Sequence, residues 1–164
     1  MITPFKEEYF TFPDINYTQV IRFELRFFNT HTVSNFTYDS NQNISEVTTD
    51  YFDFDTGVPT GSTTFVMTYD SSNNAFNSIF HNSPVQLFYD ASLMHTNMSW
   101  NPGSSMQVMR WLRYCPNNPL IITGTHLTDP VPITFDYTYN GDDYPVTVVR
   151  DRYGIVEEYH FEYY

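Results

Sequence analysis

Phe36-Thr37-Tyr38-Asp39-Ser40-Asn41 writes an aromatic or apolar residue, a threonine and a tyrosine, then a run of small polar residues. The same order returns in Met67-Thr68-Tyr69-Asp70-Ser71-Ser72-Asn73 and in Tyr137-Thr138-Tyr139-Asn140-Gly141-Asp142. Alternating β-branched and aromatic residues suit an extended strand, and Asx side chains satisfy local backbone groups and tolerate left-handed dihedrals. Each copy therefore reads as a strand entering a hairpin turn. The repeat specifies architecture and names no chemistry.

Outward from these copies, the strongest alternation lies in Val20 to Phe28. Ile21, Phe23, Leu25 and Phe27 take one face, and Arg22, Glu24 and Arg26 take the other. Val33 to Tyr38 and Ile44 to Phe54 flank a turn-rich connector at 39–43. Asp55 to Ser62, with two glycines and a proline, reads as a turn, and Thr63 to Tyr69 reads as the next strand. Between Asp70 and Ser83 the spacing of Ala75, Phe76, Ile79 and Phe80 predicts a turn or brief helix. Pro84 to Trp100 follows neither period.

Met106 to Tyr114 reads as a strand and Cys115 to Pro119 as a loop, because its prolines lack the donors that a central strand needs. Ile133 to Tyr139, the Asn140-Gly141 dipeptide and Tyr144 to Asp151 form a further hairpin, and Ile155 to Tyr164 closes the chain. Sequential strands with short turns and no long amphipathic helix favour antiparallel neighbours. The expectation is a single all-β domain over residues 1–164, with residues 1–18 as an extended N-terminal segment. It is a meandering antiparallel sheet, curved or folded on itself, with at most one or two short helical turns.

Composition agrees with one aromatic core. The 164 residues include 14 Tyr and 15 Phe, which pack well across strands. A net charge of −12, with Lys6 the sole lysine, excludes a phosphate-dominated nucleic-acid binder and an electrostatic contact with anionic lipid. One cysteine, Cys115, excludes an intrachain disulfide and a cysteine-rich zinc site. No segment has the length and apolarity of a direct membrane span, and no targeting signal opens the chain. That leaves a cytoplasmic protein, or one whose targeting segment was removed.

Tyr69-Asp70-x-x-Asn73-Asn74-x-Phe76, the run Tyr137-x-Tyr139-Asn140-x-Asp142-x-Tyr144-Pro145 and the ending at Tyr159 to Tyr164 resemble Bacteroidetes secreted lipoproteins with degenerate YD-type repeats. The likeness covers about three-quarters of the chain, from Phe36 onward. The regular glycine of the strict motif is replaced by Gln42 and Asn73 or displaced to Gly141, and no lipid-bearing cysteine precedes Met1. The resemblance implies a β-rich protein of the cell envelope or extracellular space, with repeats that build sheet rather than perform catalysis.

Among the specific enzyme signatures, the nucleophile elbow, phosphate loop, dinucleotide fingerprint and His-Glu-x-x-His are all missing. Histidines 31, 81, 95, 126 and 160 have no ligand spacing. A hydrolase-like alternative would use Cys115 with a base such as His126, or a carboxylate pair such as Asp53 with Asp55 or Glu157 with Glu158. Adjacent residues of a strand face opposite ways, which disfavours the glutamates. Asp39, Asn41 and Asn43 at alternate positions, with Asp50 as a twelfth-position ligand, suggest an oxygen-rich calcium loop, although Ile44 stands where a turn glycine belongs. The competing reading is a hairpin that spends these side chains locally.

Trp100, Trp111, Arg113 and Tyr114 form the other candidate site, because aromatic rings stack on sugars or anchor a protein interface. They favour a glycan or protein partner if they share a surface, and a plain core if they are buried. Asn-x-Ser/Thr sequons begin at Asn16, Asn35, Asn43 and Asn97. The leading expectation is a non-catalytic envelope protein with a structural or interaction role, requiring no cofactor. A carbohydrate- or protein-binding module and a small hydrolase are the alternatives.

Overall fold

The computed structural model describes residues 6–12, 19–27, 30–75, 115–124, 132–152 and 154–163. Its nine strands are β1 (Lys6–Thr11), β2 (Arg22–Phe27), β3 (Thr30–Tyr38), β4 (Ile44–Asp53), β5 (Pro59–Asn73), β6 (Asn117–Gly124), β7 (Ile133–Tyr139), β8 (Pro145–Arg152) and β9 (Ile155–His160). They form one sheet in chain order, every neighbouring pair antiparallel. The odd-numbered strands therefore all run one way and end at the same edge of the sheet.

Alternation makes one face apolar. Phe23, Leu25, Val47, Phe65, Met67, Ile122, Ile133 and Phe135 are buried, in two clusters that both pack against Phe36. The register stacks them: Phe36 opposes Val47, Val47 opposes Phe65, and Met67 opposes Ile122. Burial of such side chains contributes roughly 1.5–3 kcal/mol each. Polar residues on this face pair across strands, as Ser34 Oγ with Thr49 Oγ1 at 2.8 Å and the Tyr51 hydroxyl with Thr63 Oγ1 at 3.1 Å. At one place two strands meet too closely for a side chain: a Cβ on Gly124 would lie 2.7 Å from the Phe65 ring.

Several sequence expectations are corrected. β5 starts at Pro59, so Pro59 to Ser62 is strand, with Gly61 opposite Tyr51; the turn is confined to Phe54–Val58. Proline is tolerated there because it is the first residue of the strand. Asp70 to Asn73 is also strand, whereas the rest of the turn or brief helix expected over 70–83, from Phe76 onward, lies outside the described residues; among the described residues no helix occurs. β6 begins inside the expected loop, with Pro119 opposite Tyr69 at a register shift, where a missing donor is harmless. Within the N-terminal segment expected to be extended, Lys6–Thr11 is a strand paired with β2. The reading of Pro84 to Trp100 and the strand expected over 106–114 lie outside the described residues.

No helix among the described residues is long and apolar enough to cross a membrane, which says nothing of a β-barrel.

Candidate functional site

The three copies of the repeat meet at the edge where odd-numbered strands end. In the first, Asp39 Oδ1 accepts the amides of Asn41 at 2.8 Å and Asn43 at 2.9 Å. In the last, Asn140 Oδ1 accepts those of Asp142 and Tyr144, both at 3.0 Å. Each turn puts its fourth residue in the left-handed region, Gln42 at φ 69° and Asp143 at φ 61°. This is where glycine would relieve strain. Beyond each turn the register shifts by a bulge, so that Tyr38 opposes Ile44 and Tyr139 opposes Pro145.

The middle copy keeps the bonding and opens the turn. Asp70 Oδ1 accepts Ser72 N at 3.0 Å, but its second donor is Asn118 N at 3.1 Å, on the far side of a long connection. Asn118 stands in for Asn43 twice over: Asn43 Nδ2 donates to Asp39 Oδ2 at 3.0 Å, and Asn118 Nδ2 donates to Asp70 Oδ2 at 3.4 Å. Tyr69 then opposes Pro119, as Tyr38 opposes Ile44. Sequence spacing assigns the second donor to Asn74, the residue that matches Asn43. In the structure Asn74 turns instead to the Cys115 carbonyl at 3.0 Å and the Asn117 carbonyl at 3.4 Å.

The turns are also tied to one another. Asn43 Nδ2 donates to Asn117 Oδ1 and Asn117 N donates to Asn43 Oδ1, each at 3.0 Å. Asn73 N donates to the Asp143 carbonyl at 3.0 Å, and the Tyr139 hydroxyl bonds Asp70 Oδ2. Asn43, Asn74 and Asn118 are buried, so these amides serve as internal fasteners. Tyrosines add a second row: Tyr38, Tyr69, Tyr137 and Tyr163 hydroxyls donate to the carbonyls of Val20, Ile44, Pro119 and Pro145 at 2.6–2.9 Å. Burial raises the Tyr38, Tyr69 and Tyr137 hydroxyls above the ordinary tyrosine range.

Cys115 closes this seam. Its sulfur accepts Ile44 N at 3.4 Å and lies 3.3 Å from the Tyr69 hydroxyl. Burial pushes the thiol up to about 11, against lowering by those two hydrogen bonds. A thiolate nucleophile needs the opposite environment. His126 lies outside the described residues.

The calcium candidates are divided. Asp39, Asn41 and Asn43 come together in the first turn, with Asp39 taking three hydrogen bonds from its own loop. Asp50 does not join them: it sits within β4 opposite Val33 and Ser62, six residues beyond Ile44, which along a strand is roughly 20 Å. Among the described residues no three His, Cys, Asp or Glu cluster as metal ligands. Trp100, Trp111, Arg113 and Tyr114 lie outside the described residues.

Several further titratable groups are spent locally. Asp53 caps the Phe54–Val58 turn through Thr56, which holds its carboxyl below the ordinary range. Glu157 bonds Arg150 across β8 and β9, and that hydrogen bond lowers it. Glu158 faces His160 at 3.4 Å, so the two adjacent glutamates do not form a pair. Burial works to raise Glu24, and bonds from Arg22, Arg26 and His31 outweigh it, leaving it lowered. The sequon at Asn43 is buried and hydrogen-bonded, whereas Asn35 is exposed on β3.

Asn74, Asn117 and Asn118 are the site residues that sequence reading missed. The available signal was the Asp70 copy itself, which has the repeat's acceptor but no nearby return strand. No protein-family model, curated protein or solved structure matches the chain.

Proposed function

We propose that the protein is a non-catalytic β-sheet protein of the cell envelope or extracellular space, with a structural or interaction role. One observation carries this reading: the reactive and polar side chains at the end of the sheet are consumed in fastening its hairpins to one another. Cys115, the only thiol, is buried and held protonated. The envelope location rests on the resemblance to Bacteroidetes YD-type lipoproteins.

A glycan- or protein-binding role is the second reading. It is favoured by the position of the one long connection, which interrupts the middle hairpin between Asn74 and Cys115 and contains both tryptophans of the chain, Trp100 and Trp111.

Alkylation of Cys115 tests the non-catalytic reading. With iodoacetamide at neutral pH, the native protein should stay unmodified and the urea-unfolded protein should label fully. Rapid labelling of the native protein would reveal an activated thiol and favour the hydrolase alternative.

A further inference from the structure

Each odd-numbered strand carries a similar triplet at or near the same end of the sheet: Phe10-Thr11-Phe12, Phe36-Thr37-Tyr38, Met67-Thr68-Tyr69 inside β5, Tyr137-Thr138-Tyr139, and Phe161-Glu162-Tyr163 just past the end of β9. The first four are each followed by a return stretch that starts with a buried residue, Val20, Ile44, Pro119 or Pro145. The fourth residue of each stretch, Phe23, Val47, Ile122 or Val148, is buried too. The register places it opposite Phe10, Phe36, Met67 or Tyr137. β9 has the outgoing half of such a unit. Tyr163 fastens to the Pro145 carbonyl at 2.7 Å as Tyr69 fastens to Ile44 at 2.6 Å, and Phe161 N bonds the Val146 carbonyl as Phe36 N bonds Ile21.

No described residue pairs with the outer edge of β9. Because Phe161 N points to β8, antiparallel alternation turns the backbone groups of Val156, Glu158 and His160 outward. Ile155 (55%), Val156 (63%) and Tyr159 (43%) are exposed along the same strand. An edge of this kind is a template for strand addition.

We propose that β9 accepts an extended segment of a partner protein as a tenth, antiparallel strand, with apolar residues at positions one, four and six and basic residues at three and seven. The positions follow from the register of the other units, in which position three opposes the residue before the tyrosine, as Glu46 opposes Thr37. On β9 this sets position three against Glu162 and position seven against Glu158. β2 has the required pattern in Val20-Ile21-Arg22-Phe23-Glu24-Leu25-Arg26, with Arg26 opposite Glu7 of the other edge strand. A net charge of −12 steers a basic segment toward the chain. Antiparallel pairing of β9 with β9 of a second copy, centred on Glu158, would instead oppose two glutamates, which is unfavourable.

The proposal deepens the interaction role above and rests on it. Its test reads the β9 edge alone and leaves the Cys115 alkylation result untouched. A fluorescein-labelled peptide with the sequence of Val20–Phe27 is titrated with the full chain and followed by anisotropy. Saturable binding is expected. N-methylation of the peptide at the residues matching Glu24 and Arg26, whose amides would face β9, should weaken it at least about tenfold. N-methylation at the residues matching Phe23 and Leu25 should leave it unchanged. Glu158→Pro, which removes an outward donor without touching the pairing with β8, should weaken it comparably; the N-methylated peptides give the same answer on the unaltered protein. Absence of saturable binding, equal weakening by both N-methylation patterns, or a concentration-dependent dimer that binds no peptide would each overturn the proposal.

Discussion

Asp39, Asp70 and Asn140 perform one task in three places, each accepting two backbone amides at the same end of the sheet. The difference between them is consequence. Asp39 and Asn140 act within their own turns, whereas Asp70 holds Asn118 and Tyr139 and so joins three strands. Asp70→Ala would remove the acceptor of the buried Asn118 backbone amide and of the half-buried Tyr139 hydroxyl, a loss of about 2–4 kcal/mol. Asn140→Asp should stay within about 0.5 kcal/mol of the parent, because it installs the acceptor already used at the other two sites. Urea unfolding of both variants checks this. A mild Asp70→Ala, or an Asn140→Asp as damaging as Asp70→Ala, would show that the turn acceptor is not the fastening group.

At the scale of the element, strands with a clean period of two were legible and their partners less so. Phe23 and Leu25 face the core as the alternation of β2 requires, and β3, β4, β7 and β8 fall close to their expected limits. What escaped was strand carried by residues with poor local preference. Pro59 to Ser62 and Asn117 to Pro119 are ordered by neighbours in the sheet, since register and cross-strand bonds outweigh local turn tendencies. The middle repeat misled for the same reason: its sequence closes a hairpin at Asn74, but the amide that completes the turn arrives from Asn118. Sequence spacing cannot report a donor that lies across a connection of 40 residues or more. The candidate site was half legible, with Asp39, Asn41 and Asn43 recognised as a turn while Asn74, Asn117 and Asn118 gave no periodic signal.

For the whole molecule, stacking of similar hairpins makes stability a matter of each unit and its neighbours. The buried tyrosines and Cys115 link that stability to alkaline pH. Their folded-state values are raised, so the contribution is fully present below the ordinary thiol value of 9.0 and tyrosine value of 10.0. It is lost as pH rises through the raised values, because the unfolded chain ionises first. Glu24, Asp53 and Glu157 have the opposite sign: lowered in the fold, they stabilise above the ordinary carboxylate range and lose that effect as pH falls through the lowered values. Thermal melting should therefore fall off at both extremes. On the alkaline side, ionisation of a subset of tyrosines should coincide with unfolding. Titration of all 14 tyrosines near pH 10 in a still-folded protein would contradict the buried hydroxyl row.

Amide hydrogen exchange on the native protein tests the fastened turn end most directly. The amides of Ile44, Asn74, Asn117 and Asn118 should exchange as slowly as those of the central strands, because their acceptors lie on other segments of the seam and opening them separates parts that hold one another. Exchange of these amides at the rate of exposed loops, beside protected strands, would mean that the turns are independent and that the seam does not unite the sheet.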